Sequence, residues 1–105
     1  MTNPSDQQIE FYWRPGCPFC MTLERSLNKL NVPYEKRNIW ENPADAAFVR
    51  SVANGNEVVP TVRIGGTSLV NPSAQQVVAT TNAELPGLLE SSPQKSAGFR
   101  RRLRR

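Results

Sequence analysis

A chain of 105 residues, 38% hydrophobic and 21% charged, has the length of one domain with one core. Its longest apolar stretches, residues 9–13 and 58–64, fall far short of the ~20 residues of a membrane helix. The net charge of +4 belongs to the chain end: six of thirteen Lys and Arg residues lie within 95–105, leaving seven basic against nine acidic residues elsewhere. Residues 1–8 are polar, lack a basic-then-apolar leader pattern and read as a flexible start, so a cytoplasmic protein is expected.

Ile9-Glu10-Phe11-Tyr12-Trp13 is β-prone and stops at Arg14-Pro15-Gly16, which predicts a strand followed by a sharp loop. Phe19, Leu23, Leu27 and Leu30 then recur at helical spacing, with Glu24, Arg25, Asn28 and Lys29 on the other face, predicting an amphipathic helix over 18–31. Pro18 suits its first turn, where no backbone N–H is needed. Residues 32–39 read as a second strand. Asn42-Pro43-Ala44-Asp45 is a cap, a first-turn proline and an early acid, opening a helix to about residue 53 that stops at Asn54-Gly55-Asn56. A strand over 58–64, a turn at Gly65-Gly66 and a return strand over 67–70 form a hairpin. Asn71-Pro72-Ser73 repeats the cap-then-proline signal and opens a third helix to about residue 81, with a short helical stretch over 83–89.

This order predicts an α/β fold: a four-stranded mixed sheet built from a right-handed parallel βαβ unit and an antiparallel hairpin, with helices on both faces. The domain spans 9–90, and 91–105 is expected to be a disordered basic tail. Phe11, Trp13, Leu23 and Phe48 are assigned to the core. Trp40 fits equally a place near the site or a partly buried surface position. The tail, with Phe99, Leu103 and five arginines, is either a solvated extension or a contact for anionic surfaces such as nucleic acid or membrane.

The chain has two cysteines and no histidine, which excludes Cys–His and Ser–His catalysis and a complete four-ligand zinc site within one chain. Cys17-Pro18-Phe19-Cys20 lies where a strand turns into a helix. A helix N-terminus gathers unpaired N–H groups and the positive end of the peptide dipoles, which stabilise a thiolate, the reactive form of cysteine. Cys17 at the cap is therefore the candidate nucleophile. Cys20, one turn further and more shielded, is the candidate resolving thiol. Arg14 adds a positive charge that favours a thiolate or meets a substrate carboxylate. A purely structural disulfide across so short a loop would constrain the unfolded chain little, and such bridges are uncommon in the cytosol.

With Arg14 three residues before Cys17, the Cys17-Pro18-Phe19-Cys20 motif and Val59-Pro60, the chain resembles the glutaredoxin family on the thioredoxin fold over about residues 8–85. The resemblance implies that Pro60 is cis and faces the dithiol, and that the Val59 backbone pairs with the substrate's cysteinyl backbone. It places Arg14, Pro18, Phe19, Val59 and Pro60 in substrate binding. Two departures stand out. The family's Gly-Gly-x-Asp-like segment, which holds the γ-glutamyl group of glutathione, is replaced by Leu69-Val70-Asn71-Pro72-Ser73-Ala74 with no acid, and the family's Thr before Val-Pro is Val58. The segments around Asn42, Ser51, Val59 and Asn71 resemble the actinobacterial mycoredoxins, whose thiol, mycothiol, is sugar-based. Asn71 and Ser73 suit a sugar, besides capping the third helix.

The resemblance thus implies a thiol–disulfide oxidoreductase acting on disulfide-containing or thiolated proteins; nothing in the sequence requires a dimer, so a monomer is expected. The resemblance implies no metal and no tightly bound cofactor, and a small thiol as co-substrate, mycothiol ahead of glutathione. The alternatives are a dithiol donor recharged by thioredoxin reductase and an iron–sulfur cluster carrier that shares Cys17 between two chains.

Overall fold

The computed structural model of the protein describes residues 8–91. The expectations for residues 1–7 and for the basic tail, 92–105, lie outside the described residues. The elements are β1 (Ile9–Trp13), α1 (Pro18–Lys29), β2 (Glu35–Asn38), α2 (Pro43–Val52), β3 (Thr61–Ile64), β4 (Thr67–Val70), α3 (Ala74–Glu84) and α4 (Leu88–Ser91). They form one four-stranded sheet in the order β2-β1-β3-β4. β1 and β2 are parallel, while the β1–β3 and β3–β4 pairs are antiparallel. This is the mixed sheet that the element order predicts, with β1 and β3 at its centre.

Alternation along β1 divides its side chains between two cores. Ile9 and Phe11 face Leu23 and Leu27 of α1, Val62 and Ile64 of β3, and Val77 of α3. Tyr12 faces the other way, joining Ile39 with Ala46 and Val49 of α2. The sheet therefore carries α1 and α3 on one face and α2 on the other. Two of the four expected core side chains, Phe11 and Leu23, are buried. Trp13 and Phe48 are only half-buried: the Lys36 ammonium lies 4.2 Å from the Trp13 ring centroid, and Phe48 packs over Tyr12 at 4.8 Å between centroids.

The Tyr12 face also holds a buried charge. Glu10 is 2% exposed and accepts from the Tyr12 hydroxyl at 3.0 Å. Arg37 of β2 meets it at 3.2 Å and Arg63 of β3 at 3.6 Å, so one carboxylate ties three strands together. Burying it is tolerable because it is both hydrogen-bonded and ion-paired.

Element ends differ from the sequence expectation in several places, among them the last two helices: α3 runs to Glu84 rather than 81, and the short helix expected over 83–89 is α4, Leu88–Ser91. α1 stops at Lys29 rather than 31, because Asn31 turns left-handed (φ 59°) and the Val32 and Asn31 N–H groups fold back onto the Leu27 and Asn28 carbonyls. This is a Schellman closure, and the strand after it is β2 at Glu35–Asn38 rather than 32–39. β3 begins at Thr61 rather than 58, since residues 58–60 form a loop held by the Thr61 hydroxyl on the Val58 carbonyl at 2.7 Å. The cap of α3 is Ser73, not Asn71. Ser73 Oγ accepts from Gln76 N at 3.1 Å, and Gln76 Oε1 accepts from Ser73 N at 2.8 Å. This reciprocal capping box outcompetes the Asn-Pro signal, and Asn71 instead adopts a left-handed turn at φ 53°. α2 starts as expected, with Asn42 Oδ1 accepting from Ala44 N at 3.0 Å.

Candidate active site

β1 delivers the chain through Arg14-Pro15-Gly16, where Gly16 takes φ +74°, a value that L side chains rarely adopt. Cys17 follows as the N-cap of α1, with extended backbone (φ −104°, ψ 103°) and Pro18 at the first helical position. Its sulfur accepts the Cys20 backbone N–H at 3.2 Å. A cap that is a sulfur thus fills the place an oxygen side chain usually takes, and directs one orphan helix N–H at the reactive atom. On its other side the Cys17 thiol points to the Val59 carbonyl at 3.7 Å.

Both cysteines are free thiols, and Cys17 is 4% and Cys20 2% exposed. Burial, followed by the hydrogen bond to Cys17, pushes the Cys20 thiol up to about 12. The backbone N–H and the charge of Arg14 work in the opposite direction but do not overcome this. Cys20 therefore keeps its proton at neutral pH. The two sulfurs lie within one helical turn yet differ in environment: one takes the helix's N–H, the other is desolvated behind it.

The Val59–Pro60 peptide is cis, the isomer that the resemblance implies, and it packs beside Cys17 with Pro60 buried. The Asn71 N–H donates to the Pro60 carbonyl at 2.7 Å, which fastens the link between β4 and α3 to this loop. Arg14, Cys17, Pro18, Phe19, Val59, Pro60, Asn71 and Ser73 thus gather at the C-terminal end of β1. Of its two expected places, a partly buried surface position or one near the site, Trp40 takes the latter: it is 63% exposed, and the Arg14 guanidinium lies 5.8 Å from its ring centroid. Phe19, between the cysteines, is 68% exposed.

A groove of about 250 Å³ runs between α1 and the β4–α3 link, with Phe19, Thr22, Ser26, Asn71 and Ser73 among the residues lining it. Thr22 and Ser26 were not singled out by the sequence, since polar residues on an amphipathic helix ordinarily face solvent; only their three- to four-residue spacing from Phe19 marks the shared face. A larger cavity of about 470 Å³, lined by residues including Gln8, Pro33 and Tyr34, sits at the opposite ends of β1 and β2 and touches none of the candidate site residues. Among the described residues, no three His, Cys, Asp or Glu side chains converge as a metal site.

With this geometry in view, the similarities of the chain fall into place. The glutaredoxin family model matches residues 9–69. A protein of Mycobacterium tuberculosis (strain H37Rv) assigned to the glutaredoxins is 39% identical over 72 residues, 68% of this chain and 86% of that one. Mycoredoxin 1 of Corynebacterium glutamicum is 33% identical over 76 residues, 71% of this chain and 94% of that one. Among solved structures, a thioredoxin-like protein superposes with TM-score 0.57 at 26% identity, covering 69% of this chain and 97% of its own. The NrdH-redoxin of Escherichia coli, at 22% identity and TM-score 0.59 over 68% of this chain and 91% of its own, shares the fold.

Proposed function

This chain belongs to the glutaredoxin family, and from that premise we propose that it is a cytoplasmic thiol–disulfide oxidoreductase that frees protein cysteines from small thiols, mycothiol ahead of glutathione. The observation that carries the reading is the Cys17 sulfur seated on the N-terminus of α1, accepting the Cys20 N–H at 3.2 Å. There the aligned peptide dipoles favour negative charge on sulfur.

Cys17 attacks, as thiolate, the small-thiol sulfur of a protein–small-thiol disulfide. The new bond joins Cys17 to the small thiol, the old S–S bond breaks, and the protein thiolate leaves and takes a proton from water. A second small thiol, itself as thiolate, attacks the sulfur bound to Cys17, forms the symmetric small-thiol disulfide and returns the Cys17 thiolate. The electron pair thus comes from the second small thiol. In the dithiol route Cys20 loses its proton, attacks Cys17 and closes an internal disulfide, releasing the small thiol. The high affinity of Cys20 for its proton keeps that route in reserve.

The remaining roles follow from position. Val59 and Pro60 flank Cys17 and offer backbone to the substrate's cysteinyl group. Arg14 supplies positive charge beside the dithiol, Pro18 sets the helix start, and Phe19 covers the approach. Asn71 and Ser73 meet the body of the small thiol. The preference for mycothiol is supported by the similarity to mycoredoxin 1 and by the absence of any acid over 69–74.

The test is turnover of peptide–mycothiol and peptide–glutathione mixed disulfides by wild type, Cys17→Ser and Cys20→Ser. Cys17→Ser is expected to lose turnover and Cys20→Ser to keep it, with mycothiol the better substrate. Full activity in Cys17→Ser contradicts the mechanism, and a glutathione preference contradicts the substrate assignment.

A further inference from the structure

Resting on the small-thiol reading above, we propose that the groove between α1 and the β4–α3 link is a subsite for an uncharged, polyhydroxylated ring carried by that thiol, with the Thr22 and Ser26 hydroxyls as its specificity-determining groups. The groove starts next to the chemistry. Phe19 at its mouth is two residues from Cys17, and Asn71 on its far wall is tied through the Pro60 carbonyl to the loop whose Val59 carbonyl meets the Cys17 thiol. From there it runs away from the sulfur along one face of α1, through positions 19, 22 and 26.

The lining decides what fits. No charged side chain contributes to it: three hydroxyls (Thr22, Ser26, Ser73), one amide (Asn71) and one exposed aromatic ring (Phe19) share it with the apolar Leu23, Pro72 and Ala74. Among the described residues, neither the Thr22 nor the Ser26 hydroxyl is committed to a partner. A ligand with carboxylate and ammonium groups would surrender hydration here and find no countercharge. A ring bearing several hydroxyls matches groups that both donate and accept, and turns its C–H face to Phe19. At about 250 Å³ the groove is smaller than the 300 Å³ or so at which sites for whole drug-sized ligands begin, so it takes one ring of a larger molecule. Ser73 Oγ already accepts the Gln76 N–H, which leaves it to donate. Thr22 and Ser26, free in both senses, set the selectivity.

The test compares wild type with the Thr22→Val/Ser26→Ala double variant, which removes both hydroxyls and leaves the helix its shape. Three substrates are used: a cysteine peptide joined to mycothiol, the same peptide joined to glutathione, and 2-hydroxyethyl disulfide as the ringless reference. The kcat/KM ratio of the mycothiol substrate to the reference is expected to fall about tenfold, through KM, as loss of two neutral hydrogen bonds dictates. The glutathione ratio is expected to move less than about twofold on the same ground. In Cys17→Ser protein, titration with mycothiol is expected to shift the amide resonances of Thr22, Ser26 and Asn71, and the double variant to abolish those shifts. An unchanged mycothiol ratio, an equal fall in the glutathione ratio, or amide shifts that survive the double variant would overturn the subsite. Lost turnover with the shifts intact would instead overturn the Cys17 chemistry and leave the subsite standing.

Discussion

At the scale of single residues, the contrast between Cys17 and Cys20 organises the site. Both are nearly inaccessible as whole residues, so exposure does not separate them; hydrogen bonding and desolvation do. Cys20→Ser is expected to keep the monothiol cycle and lose only the internal disulfide. Reaction with stoichiometric oxidant, read as the count of remaining free thiols, checks this: wild type should fall from two to none without dimer, and the variant should form only intermolecular or small-thiol adducts. Much of this scale was legible in the sequence, because Cys-Pro-Phe-Cys after a β-prone run carries its own helix-start signal. Glu10 was not legible. A lone acid in an alternating strand looks like a solvent-facing residue, and nothing local announces that Arg37 and Arg63 will close over it. Glu10→Gln keeps the shape and a partner for Tyr12 but removes the charge facing both arginines, and is expected to destabilise by about 2 kcal/mol, the scale of one hydrogen bond to a charged group. A urea midpoint unchanged from wild type would show that the network is idle.

At the scale of elements, the helix starts show that one local signal can open a helix in one place and not in another. Asn42-Pro43 and Asn71-Pro72 are the same dipeptide, yet the first opens α2 and the second precedes a left-handed turn. The difference lies three residues beyond Ser73, where Gln76 completes a reciprocal box that position 71 has no counterpart for. Ser73→Ala is expected to cost about 1 kcal/mol, visible as a lowered urea midpoint and as faster amide exchange in the first turn of α3. Asn71→Ala should lack that second signature. The early stop of α1 is likewise set by Asn31 in the left-handed region, a conformation that hydrophobic spacing alone does not report, since Leu30 continues the apolar repeat although it is exposed.

At the scale of the whole molecule, the sheet order β2-β1-β3-β4 brings the β1–α1 turn, the Val59–Pro60 loop and the β4–α3 link to one end. The element order implied a parallel unit joined to a hairpin. Which strands sit at the centre depends on β1 pairing with β3 across the 47 residues that separate Trp13 from Thr61, a long-range choice that periodicity does not encode. The same packing sets a pH dependence. Burial first of all raises Cys20 to about 12 and Tyr34 to about 12, and raises Tyr12 as well. In the unfolded chain a cysteine gives up its proton near 8.5 and a tyrosine near 10. Above those values the unfolded state binds fewer protons than the folded one, so stability present below about pH 8.5 drains away as pH rises toward about 12. Urea unfolding at pH 8, 9.5 and 11 should show this decline, and Cys20→Ser should flatten its first part. Equal slopes in variant and wild type would remove Cys20 from the explanation.

The assignment of Cys17 as nucleophile rests on its place at the N-terminus of α1, and competition between the two thiols tests that directly. The fully reduced protein is treated with substoichiometric iodoacetamide at pH 7, and the labelled cysteine is identified by peptide mass. The account predicts label on Cys17 with Cys20 spared, given a helix N–H directed at one sulfur and a proton held by burial at the other. Label appearing first on Cys20, or equally and slowly on both, would contradict it.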